Sequence, residues 1–135
     1  MPRARTYYTP FNLLAGATVT GGDSVLPVLS SAQNGTETSD GTTNFGATTT
    51  KSNGGFYWAV TADAGTATAD EVVNGYGAAI IEGKAGRVAV TAAGAVTAAA
   101  VTGLSASTAY ELFFVHVDAN GNRSAAATVG FTTTV

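Results

Sequence analysis

His116 is the only histidine in the chain, and Asp118 follows it by two residues. An imidazole and a carboxylate are two parts of a nucleophile–His–carboxylate set, which would need a hydroxyl or thiol to complete it. Side chains two apart on a strand share a face but sit ~6.5–7 Å apart at Cα. No sequence such as G-x-S-x-G marks an activated serine. A histidine at the edge of a core, bonded to backbone, explains the residue better. Asp118-Ala119-Asn120-Gly121-Asn122 copies the D-x-N-x-N opening of a calcium loop. The sixth position is Arg123 where the sharp turn needs Gly, and the twelfth is Val129, followed by Gly130, where a bidentate Glu is needed. A hairpin turn explains the same residues. Gly83-Lys84-Ala85-Gly86-Arg87 is rich in glycine and cations but lacks phosphate-loop spacing, and it reads as a loop. We therefore expect no catalytic residue, no metal, no cofactor and no enzymatic activity.

The elements around these residues follow from composition. At 135 residues the chain suits one domain with a real core. Charged residues make up 11%, against about 25% in an ordinary soluble domain, so Thr, Ser, Asn and Gly must supply the polar surface. Such a surface suits close packing against neighbours. The net charge is −3, and the only local basic feature is Arg3 with Arg5, so nucleic acid is not an expected partner. Cysteine is absent, which leaves packing to hold the fold. No apolar run nears the ~20 residues of a membrane span, and Phe11–Ala15 is too short for a signal-peptide core. The expectation is an unprocessed, soluble protein with no membrane partner.

Residues 1–24 differ from the rest. They carry Arg3, Arg5, Tyr7, Tyr8, Phe11, Leu13 and Leu14, with glycines at 16, 21 and 22. Frayed tails are normally poor in aromatics. We read 1–24 as an extended arm hinged at Gly21-Gly22, docking onto a partner or its own domain. From Val25 onward the pattern is β, with short runs of Thr, Val and Ala punctuated by Gly and Asn. Strands are expected at Val25–Ser31 (an edge, because of Pro27), Gln33–Thr38, Thr43–Thr50, Phe56–Thr61, Arg87–Thr91, Ala95–Val101, Tyr110–Val117 and Ala125–Thr133. Asp40-Gly41, Asn53-Gly54-Gly55 and Asn120-Gly121 read as turns. Thr68-Ala69-Asp70-Glu71 has capping-box spacing and predicts one short helical turn ending at Asn74-Gly75. Residues 76–87 read as loop or a short edge strand. The result is an all-β fold, a Greek-key β-sandwich over residues 25–135.

Gly103-Leu104-Ser105-Ala106-Ser107-Thr108-Ala109-Tyr110 reads G-L-x-x-x-T-x-Y just before the strongest strand. It resembles the E–F corner of fibronectin type III (Ig-like) domains. That resemblance implies that Leu104 plugs the base of the core. It also implies that Tyr110 sends its hydroxyl back to the corner backbone, with Thr108 between them. A narrower likeness runs through Gly55–Thr61, Asp70-Glu71-Val72, Val101–Leu104, His116–Ser124 and Phe131-Thr132-Thr133. These are similar to fibronectin-like modules of bacteriophage structural proteins, found on capsid decoration proteins, tails and fibres. In such a protein the sequons Asn34-Gly35-Thr36 and Asn122-Arg123-Ser124 are accidental.

If Tyr110, Leu112 and Phe114 face the core, then Phe113, Val115 and Val117 face outward, where a lone sandwich would show polar residues. The helical turn at Val72-Val73 could cover this stripe. The arm, a neighbouring subunit or a host structure could also do so, and an intermolecular cover is the expectation. The resemblance then implies a phage virion protein, made in the bacterial host cytoplasm and carried on the particle surface. It would be a capsid decoration (cement) protein that holds the major capsid protein, other virion proteins or neighbouring copies of itself. Its grip would come from Arg3, Arg5, Tyr7, Tyr8, Phe11, Leu13, Leu14 and the 113/115/117 row. The alternative is a tail-fibre, tail or surface adhesion module for a host receptor or glycan, with Tyr76 as its loop aromatic.

Overall fold

The computed structural model describes residues 23–135. Residues 1–22, with Arg3, Arg5, Tyr7, Tyr8, Phe11, Leu13, Leu14 and the Gly21-Gly22 hinge, lie outside the described residues. The described chain is all-β, with eight strands and one short helix. The strands are β1 (Leu29–Gln33), β2 (Thr36–Thr38), β3 (Gly41–Thr49), β4 (Gly55–Ala62), β5 (Ile80–Ala89), β6 (Gly94–Val101), β7 (Ala109–Val117) and β8 (Ala127–Thr132); α1 (Ala69–Asn74) lies between β4 and β5.

All strand pairs are antiparallel and form two sheets. In the first, β3 pairs with β6 along one edge and with β1 and then β2 along the other. In the second the order is β5-β4-β7-β8. Their inner faces share one core, in which Phe45 of β3 stacks on Phe114 of β7 at 6.4 Å between ring centroids. Phe114 also stacks on Phe56 at 5.3 Å, and Trp58 meets Phe45 edge-on at 5.0 Å. Glycine makes two of these contacts possible. A Cβ on Gly46 would lie 1.9 Å from the Val96 carbonyl oxygen, so β3 and β6 could not pair there with a larger residue. A Cβ on Gly86 would lie 2.6 Å from the Trp58 ring, which lies over that bare backbone.

Helix α1 is short but well terminated. The Thr68 hydroxyl accepts from the Glu71 N–H at 3.2 Å, and the Glu71 carboxylate accepts from the Thr68 N–H at 2.9 Å. Gly75 closes it in the left-handed region, at φ 80°. The helix buries Val72 against Ala59, Ile80, Phe113 and Val115, a second apolar cluster on the outer face of the β4–β7 pair.

That cluster corrects the expectation that Phe113, Val115 and Val117 await an outside partner. Phe113 and Val115 are buried under α1, and Val117 is half-buried. Intramolecular cover wins because the helix follows β4 directly and brings apolar side chains at little loop cost. Three boundaries also differ from expectation. The first strand begins at Leu29, not Val25, because Pro27 cannot donate to a ladder. The expected Gln33–Thr38 strand is split at Asn34-Gly35, where Gly35 takes φ 74°. Residues 80–89 form the ten-residue strand β5, where a loop was expected through Gly83–Arg87. Gly83 at φ 77° and a register shift between Ala59 and Thr61 absorb the irregularity that made this stretch read as loop.

If α1 seals the outer face, Val72→Ala should cost about 1.5–3 kcal/mol, the value of burying such a side chain. Urea unfolding followed by Trp58 fluorescence measures this. A loss under about 0.5 kcal/mol, typical of a surface substitution, would contradict the sealing role.

Candidate functional site

The connection from β6 to β7 carries the chain from one sheet to the other. Gly103 turns it at φ 81°, and the Leu104 N–H then donates to the Asp40 carbonyl at 2.8 Å. Leu104 packs against the core from below. The Tyr110 ring is buried and stacked on Phe131 at 5.6 Å, and its hydroxyl accepts from the Ser105 N–H at 3.0 Å. Thr108 donates from its hydroxyl to the Ala106 carbonyl at 2.8 Å, and from its N–H to the Thr133 hydroxyl at 3.0 Å. Leu104, Thr108 and Tyr110 thus meet in one structural knot, which Thr134 extends by donating to the Thr38 carbonyl at 2.9 Å.

The other end of β7 holds the polar residues. His116 is fully buried, with Nε2 2.7 Å from the Asn53 carbonyl oxygen and Nδ1 2.7 Å from the Thr49 hydroxyl. A carbonyl only accepts, so Nε2 carries the proton there. The ring joins the β3–β4 loop to β7, and Asp118 does not touch it. The Asp118 carboxylate accepts from the Asn120 and Asn122 N–H groups, both at 2.9 Å, and from the Asn122 side-chain amide at 3.1 Å. Lys51 stands 3.8 Å away. These donors occupy the oxygens that a cation would need, so Asp118–Asn122 is a turn closed on its own carboxylate. Burial alone pushes the Asp118 carboxyl up. The Asn122 side-chain and backbone donors, the Asn120 N–H and the Lys51 charge outweigh it, and the net direction is below the ordinary carboxylate value.

The same pole receives the N-terminal end of the described chain. Lys51 forms an ion pair with Asp23 and donates to the Val25 carbonyl at 3.0 Å, while the Asn122 amide donates to the Asp23 carbonyl. The Lys51 hydrogen bond, followed by the Val25 N–H, lowers the Asp23 carboxyl below its ordinary value. The path that follows is apolar and exposed. Val25, Leu26 and Val28 are 64%, 54% and 59% exposed, while Pro27 between them is buried. A groove of about 260 Å³ runs between Leu26–Leu29 and Ala125–Ala127. Sequence reasoning missed this strip. Its signal was the unbroken run Val25-Leu26-Pro27-Val28-Leu29, of which a period-2 strand can bury only alternate members. A second groove, of about 270 Å³, lies between α1 and β5, beside Tyr57, Asn74 and Arg87. The Arg87 guanidinium sits over the Tyr57 ring at 5.7 Å.

In comparisons with known proteins, the chain matches no family model, no curated protein and no solved structure.

Two measurements test these knots. Tyr110→Phe should keep the fold and cost about 0.5–1.5 kcal/mol, the net worth of one hydrogen bond. Asp118→Asn should cost about 1–3 kcal/mol at pH 7, because charge-assisted bonds are lost from a buried turn. The native Asp118 carboxyl is depressed, so its contribution is complete above the unfolded value near ~3.9 and is lost as pH falls through the lower folded value. The stability gap between wild type and Asp118→Asn should therefore close below pH ~4. A gap that persists there would contradict the assignment.

Proposed function

We propose that the protein is a non-enzymatic virion structural protein of a bacteriophage, a capsid decoration (cement) protein built on a fibronectin type III-like, Greek-key sandwich. The strand order supports the fold reading. β1/β2-β3-β6 facing β5-β4-β7-β8 is compatible with A, B and E strands opposite C′, C, F and G. The Tyr110–Ser105 hydrogen bond supports the corner reading.

One observation carries the functional reading. The chain is pinned at Asp23 to the His116–Asp118 pole while Val25, Leu26 and Val28 just after it stay exposed, and the stretch directly before it carries Arg3, Arg5, Tyr7, Tyr8, Phe11, Leu13 and Leu14. A sandwich held rigid at the root of an apolar, cationic arm suits gripping: the body stays folded while the arm lies across a neighbour. The weakly charged surface suits packing among many copies. Partners on this reading are the major capsid protein, other virion proteins and neighbouring copies on the particle surface, with neither nucleic acid nor membrane involved. Phe113 and Val115 take no part, being covered by α1.

Tyr76 favours a second reading, as an adhesion module. It is 75% exposed and follows Gly75, which lines the groove beside Arg87. An exposed loop aromatic offers a face on which a sugar ring can stack.

Purified protein should bind expanded phage heads at saturating stoichiometry. Deletion of residues 1–20 should abolish that binding while leaving the sandwich folded. Normal head binding by the deletion variant would sink the proposal, and glycan-array binding without head affinity would favour the adhesion reading.

A further inference from the structure

From the groove at the β1/β8 edge we infer that it is a seat for the chain's own N-terminal segment, taking the apolar side chains of Phe11, Leu13 and Leu14 in cis. The groove is apolar on both walls, with Leu26, Val28 and Leu29 on one side and Ala125–Ala127 on the other. Its volume of about 260 Å³ suits the side chains of one extended segment. Two large aliphatic side chains of its lining, Leu26 and Val28, are more than half exposed.

Reach selects the occupant. Asp23 is held by Lys51 and Asn122. Each wall of the groove begins three residues from that clamp, at Leu26 and at Ala125, or ~10 Å along an extended strand. Leu14 lies nine residues before Asp23. Nine residues can reach up to ~30 Å when extended, more than enough to double back over that distance. Gly21-Gly22, directly before the clamp, accept the positive φ values that a reversal needs. A segment tethered this closely presents itself at an effective concentration in the mM range, so a second copy at micromolar concentration competes poorly. Charge points the same way. Residues 23–135 hold all nine carboxylates and four of the six cations, whereas residues 1–22 hold two arginines and no acid. The inference does not rest on the virion reading: the segment can be stowed in the free protein whatever it later grips.

The lack of native cysteine makes a direct test possible. Leu13→Cys is paired with Ala126→Cys at the groove, or with the exposed Ala106→Cys at the opposite pole as control. Under mild oxidation the groove pair should close an intramolecular disulfide at least tenfold faster than the control, at a rate unchanged by dilution. Adding Leu26→Asp should remove the difference. Equal rates for the two pairs would overturn the inference. Disulfide-linked dimers that vanish on dilution would also overturn it and assign the groove to a second copy. A cysteine-free check covers the case in which a pair perturbs the fold: chymotrypsin should cut after Phe11 about tenfold more slowly in wild type than in Leu26→Asp. Equal cutting contradicts the seat. Head binding by the arm could survive either failure, so the two readings are separable.

Discussion

Strand β7 is apolar on both faces, and the rest of the molecule is arranged to keep both out of water. Tyr110, Leu112 and Phe114 enter the core between the sheets, while Phe113 and Val115 turn the other way. A strand in a two-sheet protein usually needs cover on one face only. Here the inner face is met by Phe45, Val96 and Ala98 of the facing sheet, and the outer face by Val72 of α1. Each fully buried Phe or Val contributes about 1.5–3 kcal/mol, so an uncovered outer face would forfeit a large part of a small domain's net stability. This explains why a six-residue helix, too short to persist alone, carries a full capping box and a glycine stop. Its caps supply what its length cannot.

The same strand sets the polar organisation. Its first end is tied by the Tyr110 hydroxyl to Ser105, its last end by His116 to Thr49 and Asn53. Both ties link β7 to the connections that cross between sheets. Hydrophobic contact alone specifies that two sheets pack and leaves their relative slide poorly determined; buried directional bonds at both ends of one strand remove that freedom. His116 therefore acts as a register pin, and its isolation from Asp118 follows from strand geometry, since residues two apart share a face without touching.

Much of this was legible in the residues. Turn chemistry at Asn53-Gly54, the Thr68–Glu71 spacing and the Gly103–Tyr110 run each act locally, so their outcome is written in a few adjacent positions. The misreadings came from terms that are not local. Phe113 and Val115 announced a need for cover, but whether that cover was α1 or another molecule depended on where the chain returns after β4. The Gly83–Arg87 stretch looked like loop because glycine disfavours strands, yet the Trp58 ring laid over Gly86 replaces the missing side chain. The exposed Val25–Val28 strip was hidden for the opposite reason. The run reads as an edge strand that buries alternate members, and the placement of Pro27 inward instead leaves its neighbours in solvent.

That strip changes where binding is to be sought. With the outer face of β7 sealed, the exposed large apolar side chains among the described residues are Val25, Leu26, Val28, Tyr76 and Val135, and three of the five lie together on the path leading from the Asp23 clamp. Isolated exposed aliphatics are ordinary on a protein surface, whereas a contiguous set beside a groove marks a contact. Lys51 gives that contact its direction. By holding Asp23 while standing close to Asp118, it fixes the start of the described chain at one point on the pole. The clamp on Asp23 and the exposed strip therefore share one root, and a contact on that strip would be anchored where the chain is already held.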